Sequence, residues 1–410
     1  METYEDFNLR IIADGEGYRV LAQSSAGEAS SSFKLPENRA CQQGESSMEG
    51  DLRDLRPCPT GPGTSPEMTG RHLFQALLTD SVRRLFDKAS GSLKAELGRN
   101  LRIRLHIDPL DVRLRPLQGV PWELLYCADT HGFLNLDRQT PVVRSLDALQ
   151  PAVAAPLGTP LRVLLVMANP AGTSPLNLPE ERAAVERALR RIGSVELSVL
   201  EHATCRSLRH RLREESFHIV HFMGHGSFDE ASNEGNLLLE TSEGLIDSIP
   251  GEVLATLLKK RTGPALVVLN ACKTAKSSEQ GQATPFAGVA AALVGKGIPA
   301  VLAMQTSVRD NAAIILTEEL YERLAAGDPM EAALSEARLA LYSTSPRSSD
   351  WAIPVLFVRS DAIEMRLEMA TQQRSDEPRL QEGPSNSGPT VINKGRVKRQ
   401  YIATNQHNSD

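Results

Sequence analysis

The chain has 410 residues, of which 41% are hydrophobic and 23% are charged, and its 45 basic and 51 acidic residues give a formal net charge of −6. This is the composition of a globular protein, and it gives no reason to expect a nucleic acid or an anionic membrane as a direct partner. No apolar run reaches the roughly 20 residues of a membrane span, and METYEDFNLR at the N-terminus lacks the basic and apolar regions of a signal peptide, so we expect a cytoplasmic protein.

The first 150 residues have the pattern of a small α+β unit. Residues 6–34 alternate between apolar and polar side chains and predict a β-hairpin, and residues 36–66 are rich in Pro, Gly and Ser and predict a flexible loop. Residues 68–98 have helical spacing, and the strict alternation of residues 101–107 predicts a strand with one exposed face. We therefore predict an N-terminal α+β unit over residues 1–150.

After a linker at residues 151–160, apolar strands alternate with amphipathic helices. The predicted strands are residues 161–168, 195–200, 217–223, 236–240, 265–271, 299–304 and 351–358. The predicted helices are residues 179–192, 250–260, 284–296, 309–326 and 329–342. Because the strands are apolar throughout, they favour an α/β fold with a mostly parallel sheet and helices on both faces. We place this domain at residues 151–365 and expect the polar tail at 366–410 to be disordered.

Two of the predicted strands end in residues that carry chemistry. The strand at 217–223 leads into Gly224, His225 and Gly226, and the strand at 265–271 leads into Cys272. Function in such sheets lies at the carboxyl ends of the strands, and the glycines would let the backbone turn sharply off the sheet. If the strands are neighbours, a thiol nucleophile and an imidazole acid/base meet there. The backbone N–H groups of Gly226 and Cys272 would then stabilise an oxyanion.

The histidines and cysteines also fit purely structural roles. A cysteine at a strand end is more often a small buried side chain than a nucleophile. His218 and His221 fit core positions, and they cannot share a metal ion because residues three apart on a strand face opposite sides. The five scattered cysteines contain no C-x-x-C pair, so the sequence offers no zinc site. No G-x-G-x-x-G or P-loop motif supports a nucleotide binder.

The segment at 217–226, followed by ALVVLNACKTA at 265–275, resembles the CHAT domain, a branch of the cysteine peptidases that include caspases, separases and gingipains. The family pattern is an apolar strand into H-x-x-G-H-G and a later apolar strand into S-A-C-E-T. The resemblance extends over about residues 100–360. The sequence departs from the pattern at Asn270, where Ser is usual, and at Lys273, where Glu is usual. A cation at Lys273 would favour thiolate unless it points into solvent.

The resemblance implies a caspase-like sheet and an endopeptidase that cleaves proteins through a thioester acyl-enzyme. It implies Cys272 as the nucleophile and His225 as the general acid/base, with no metal or organic cofactor. It also implies a regulated effector in bacterial defence or signalling, acting on a protein substrate and switched on by an activating partner. The alternative is a catalytically silent adaptor with the same fold.

Three acidic residues near the predicted strand ends are candidates for the pocket that holds the side chain before the scissile bond, the P1 residue. They are Asp229, Glu230 and Asp310. Carboxylates in that pocket would favour Arg or Lys at P1. The alternative is that all three are solvated loop carboxylates.

Overall fold

Most of the described strands belong to one large sheet that runs through both halves of the chain. The computed structural model describes residues 3–35, 65–94, 99–147, 160–190, 195–229, 234–259, 263–271, 285–306 and 310–360. The predicted tail at 366–410 lies outside these residues, as do nearly all of the predicted loop at 36–66 and of the linker at 151–160.

Fifteen strands and nine α-helices form from the described residues. The strands are β1 (Thr3–Asp14), β2 (Gly17–Ser24), β3 (Gly27–Phe33), β4 (Arg99–Ile107), β5 (Tyr126–Cys127), β6 (Gly132–Phe133), β7 (Val142–Leu146), β8 (Leu161–Met167), β9 (Val195–Leu200), β10 (Ile219–Asp229), β11 (Glu234–Glu240), β12 (Ile246–Pro250), β13 (Leu266–Ala271), β14 (Ala300–Met304) and β15 (Pro354–Arg359). The helices are α1 (Pro66–Leu77), α2 (Asp80–Lys94), α3 (Arg115–Gln118), α4 (Leu178–Arg190), α5 (Cys205–Glu214), α6 (Gly251–Leu258), α7 (Pro285–Gly295), α8 (Asp310–Ala325) and α9 (Met330–Thr344).

The main sheet has the strand order β12-β11-β10-β13-β14-β15-β7-β4-β1-β2-β3, with β8 and β9 joined to it through β10. Strands β9, β8, β10, β13 and β14 are parallel to one another in that order. A hairpin, β5-β6, forms a separate two-stranded sheet among the described residues. Apart from the half-buried edge strand β9, the parallel strands are the buried centre of the fold, since parallel sheets need cover on both faces.

Helices cover both faces of the parallel strands. Apolar side chains of α4, α8 and α9 form one core with one face of the sheet. Those of α5, α6 and α7 form a second core with the other face. The predicted α/β class, a mostly parallel sheet with helices on both faces, is therefore confirmed.

The N-terminal strands continue the same sheet, because β7 pairs with β15 on one side and with β4 on the other. Helices α1 and α2 pack a third core against β1, β2 and β4. The predicted hairpin is present and gains a third strand, β3. The predicted domain boundary near residue 150, which would separate two independently folding units, stays a prediction.

Two predictions for the N-terminal part were wrong in detail. The helical spacing at 68–98 belongs to two helices and not to one continuous helix, and Asp80 at their junction has a φ of 45°. Strand β4 was expected to expose one face, but Asn100 through Ile107 are all buried. The polar side chains Arg102 and Arg104 are buried because the Asp6 carboxylate lies 2.7 Å from Arg102 Nε and 3.0 Å from Arg104 Nε.

Candidate functional site

The strands that precede His225 and Cys272 are neighbours, as predicted. β10 and β13 are parallel, and their register runs from Ile219 opposite Leu266 to Gly224 opposite Ala271. The last pair among the described residues therefore directly precedes His225 and Cys272 in the sequence. Cys272 lies outside the described residues, so its distance from His225 stays a prediction.

His225 lies where β10 changes partners. Up to Gly224 the strand pairs with β13, and from His225, opposite Leu238, it pairs with antiparallel β11. The predicted end of the strand at Met223, with a sharp turn at the glycines, was therefore wrong: β10 stays extended to Asp229 because β11 supplies a new partner. Gly226 lies inside the strand opposite Leu237, and its role as an oxyanion donor stays a prediction.

Gly224 packs closely against the residue that follows β8 and does not form a turn. A Cβ atom on Gly224 would lie 3.0 Å from the backbone oxygen of Ala168, at the end of β8. That distance is shorter than ordinary van der Waals contact. The glycine therefore lets the loop after β8 approach β10 directly beside His225.

The imidazole of His225 is buried and contacts this loop. The residue is 1% exposed, and its Nε2 lies 3.2 Å from Oδ1 of Asn169, an exposed residue that directly follows Ala168. The backbone N–H of Asn169 donates to Oε1 of buried Glu240 at 2.9 Å. The other oxygen of Glu240 lies 3.1 Å from Nδ1 of His202. A polar chain thus runs from the buried histidine to the surface.

The sequence patterns did not point to Asn169 or Glu240. Asn169 follows the predicted strand at 161–168, so the rule that pointed to His225 and Cys272 also points to this position. Glu240 carried no comparable signal, because a carboxylate at the end of a strand is usually solvated.

The other two histidines of the motif are structural, as predicted. His221 is 1% exposed, its Nδ1 lies 3.1 Å from the hydroxyl of Tyr321, and burial lowers its pKa to about 3. His218 accepts a hydrogen bond at Nδ1 from the backbone N–H of Arg162 at 3.0 Å. Burial, and then the charge of Arg162, lower the pKa of His218. Both rings are therefore neutral parts of the core.

Two of the three candidate pocket carboxylates belong to residues that the structure describes. Asp229 is exposed and ends β10 opposite Glu234, and Asp310 is the first residue of α8. Glu230 lies outside the described residues. Four residues of extended strand separate Asp229 from His225 by about 13 Å. Their role in substrate choice stays a prediction.

Asn270, one of the departures from the family pattern, is buried in β13 opposite Met223. Its Oδ1 atom has no hydrogen-bond partner among the residues that the structure describes. The departure from the usual Ser thus places a side-chain amide in the buried part of β13.

Comparison with solved structures shows low similarity. Saccharomyces cerevisiae separase in its complex with securin is 16% identical with a TM-score of 0.38, and the match covers 63% of this chain and 16% of that one. A second structure of the same complex is 15% identical with a TM-score of 0.36, covering 63% and 15%. The complex of the pro- and mature domains of RgpB from Porphyromonas gingivalis is 9% identical with a TM-score of 0.43, covering 72% and 74%. This chain thus spans only a small part of the separase chain's length.

No curated protein is significantly similar to this chain in sequence. None of the helices in the described residues is both long and apolar enough to cross a bilayer. The model of the CHAT domain matches residues 67–359, which is more than two thirds of the chain. The chain therefore belongs to the CHAT domain family.

Proposed function

We propose that the chain is a cysteine endopeptidase with a caspase-like sheet, in which Cys272 is the nucleophile and His225 the general acid/base. The observation that carries the proposal is the register of β10 and β13, in which Gly224 lies opposite Ala271. His225 and Cys272 directly follow these two residues in the sequence. Neighbouring strands lie about 4.8 Å apart, which is within reach of a thiol–imidazole hydrogen bond between their side chains.

In the proposed reaction, the imidazole takes the thiol proton and the thiolate attacks the carbonyl carbon of the scissile peptide bond. Backbone N–H groups, with Gly226 and Cys272 as candidates, stabilise the negative oxygen of the tetrahedral intermediate. The imidazolium then protonates the leaving amine, and a thioester remains on Cys272. Water, deprotonated by His225, hydrolyses the thioester and restores the thiol.

The test uses the full-length protein, Cys272→Ala, His225→Ala and the control Cys205→Ala, whose thiol lies at the start of α5. Each is incubated with a mixture of cellular proteins, and new peptide termini are identified by mass spectrometry. We expect cleavage by the wild-type and Cys205→Ala proteins and none by the other two. Fragments common to all four samples would contradict the proposal. The silent-adaptor alternative predicts no cleavage by any of the four proteins.

The proposal includes a preference for Arg or Lys at P1, supported by the acidic residues Asp229, Glu230 and Asp310. Peptides that differ only at P1 measure this preference through kcat/KM. We expect the basic peptides to be cleaved fastest and Asp229→Asn to reduce their advantage. A preference for Asp at P1 would show that these carboxylates are solvated and do not line the pocket.

We also propose the biological setting that the family resemblance implies. The protein would act in the cytoplasm as a regulated effector in bacterial defence or signalling, on a protein substrate and under the control of an activating partner. A requirement for an activator would appear as Cys272-dependent cleavage that is present in a lysate of the source cells and absent with isolated substrates.

A further inference from the structure

We infer that Asn169 is a positioning residue that orients His225 and fixes which of its nitrogens carries the hydrogen. The inference rests on the proposed peptidase function. Its basis is the 3.2 Å contact between Asn169 Oδ1 and His225 Nε2. An amide oxygen only accepts hydrogen bonds, so this contact requires a hydrogen on Nε2.

A neutral imidazole carries one hydrogen, so a ring that holds it on Nε2 has its lone pair on Nδ1. Nδ1 is then the atom that takes up the proton of the Cys272 thiol. Once it has done so, both nitrogens carry hydrogen, and Oδ1 accepts a hydrogen bond from a charged ring. Hydrogen bonds to charged groups are stronger than neutral ones, so Asn169 favours the imidazolium over the neutral ring.

Asn169 can act in this way because its backbone is held on both sides. The preceding residue, Ala168, donates its N–H to the backbone oxygen of Met223 at 3.0 Å, which extends the ladder between β8 and β10 by one bond. The N–H of Asn169 itself donates to Glu240 at 2.9 Å. In the same loop, the hydroxyl of Thr173 lies 3.3 Å from Asn169 Oδ1 and 2.8 Å from the backbone oxygen of Pro170.

Because Asn169 is exposed, its effect on His225 can be tested without disturbing the packing of the fold. The imidazole of His225 is 1% exposed, whereas Asn169 lies on the surface. An exposed side chain outside the apolar cores contributes little packing, so its replacement should leave the fold intact. Any effect on the chemistry of Cys272 then acts through His225.

Among the described residues, the charged and titratable groups on the strands paired with His225 and on β10 can be named in full. Glu240 and Glu234 lie on β11, Asp229 and His221 lie on β10 with His218 just before it, Arg162 lies on β8, and His202 contacts Glu240. Cys272 follows β13. None of these groups is altered in the variants described next, so a change in thiol reactivity can be assigned to the side chain at position 169.

The test compares Asn169→Leu, which removes the acceptor at similar size, with Asn169→Asp, which keeps an acceptor and adds a negative charge. Asn177→Leu is the matched control, because Asn177 is an exposed asparagine of the same connection between β8 and α4. The full-length proteins are treated with iodoacetamide at pH 6, and modification of the Cys272 peptide is followed by mass spectrometry. An ordinary thiol, with a pKa near 8.5, reacts slowly at that pH.

We expect Asn169→Leu to slow alkylation of Cys272 by about tenfold, the effect of one hydrogen bond to a charged group. Asn169→Asp should react at least as fast as wild type, and Asn177→Leu should react like wild type. With a cleaved peptide, Asn169→Leu should lower kcat and leave KM nearly unchanged.

Other results would overturn either the role of Asn169 or the proposed function itself. The role of Asn169 is wrong if His225→Ala slows alkylation but Asn169→Leu does not. It is also wrong if Asn169→Asp reacts more slowly than wild type. In both cases the peptidase proposal stands. If His225→Ala reacts as fast as wild type, there is no thiol–imidazole pair and the proposed function itself is wrong.

Discussion

His221 shows how burial sets the charge of a side chain in this sheet. The ring lies in the middle of β10, stacks near Tyr321 with 6.0 Å between ring centroids, and shares a 3.1 Å hydrogen bond with the tyrosine hydroxyl. Burial lowers its pKa to about 3 from the ordinary 6.5. The folded protein therefore keeps His221 neutral at a pH at which the unfolded chain protonates it.

Acid should destabilise the protein partly through this residue. Because the folded pKa is depressed, the contribution is fully present above pH 6.5 and is lost as the pH falls toward 3. At pH 4.5 the loss is about 2–3 kcal/mol in the free energy of unfolding. We expect His221→Gln to lose less stability than wild type between pH 7.5 and 4.5, as measured by urea denaturation.

The control for this prediction is His210→Gln, because the His210 side chain on α5 is 72% exposed. It should lose as much stability in acid as wild type does. Equal acid sensitivity of His221→Gln and wild type would contradict the assignment of a buried neutral ring.

For single residues, the sequence was sufficient to predict which side chains are reactive or buried. It was insufficient to predict which of them contact one another. His225, Cys272 and the core histidines follow from the apolar runs that contain or precede them. Asn169 is separated from His225 by 56 residues, and its contact depends on how closely the ends of β8 and β10 approach. No local pattern encodes that distance.

Among the elements, β8 and β10 are the two strands that bring Asn169 and His225 together. Gly224 allows this approach, since a Cβ there would lie 3.0 Å from the backbone oxygen of Ala168. That oxygen belongs to the chain segment that leads into Asn169. An added methyl group would have to push the end of β8 away from β10.

We therefore expect Gly224→Ala to lower the free energy of unfolding by about 1–3 kcal/mol, the usual effect of overpacking a buried contact. Gly91→Ala is the control, because a Cβ at this helical position of α2 meets nothing within 4 Å. That change should stabilise the protein slightly, since Ala is the better helix former. Thermal unfolding compares the two variants. Equal stability of both would show that the sheet adapts to the methyl group without strain.

Most of the elements that the sequence predicted well are buried by apolar side chains, although β9 was located at its observed bounds and is only half-buried. Strands β8, β13 and β14 were located within one residue at each end, because each of them is a short, mainly apolar run. Helix α5 was missed because its CRSLRHRLRE sequence carries four arginines and buries only Leu208 and Leu212. The extension of β10 was missed because its second half is held by β11, a partner that only the tertiary structure supplies.

At the scale of the whole molecule, the N-terminal strands and the parallel strands are joined by more than the β7-β15 pairing. Arg102 of β4 contacts Asp6 of β1 and Glu331 of α9, and the Arg102 and Glu331 side chains are each 4% exposed. Burial lowers the pKa of Arg102, but the charge of Glu331 and the contacts with Asp6 raise it above its ordinary value. The guanidinium is therefore charged in the interior and depends on both carboxylates.

Glu331→Gln should strongly destabilise the protein, because it leaves the buried Arg102 with only Asp6, which is 33% exposed, to balance its charge. Breaking one side of a buried ion pair costs about 3–5 kcal/mol, and the amide oxygen of Gln can recover part of that as a hydrogen bond.

Glu336→Gln, five residues along α9, is the matched control: the Glu336 side chain is 28% exposed and lies 3.3 Å from Arg138. A partly solvated pair of that kind contributes about 1 kcal/mol or less. Urea denaturation measures the free energy of unfolding of both variants. Similar losses of stability in the two would mean that water reaches Arg102 and that the ion pair does not hold the N-terminal strands to α9.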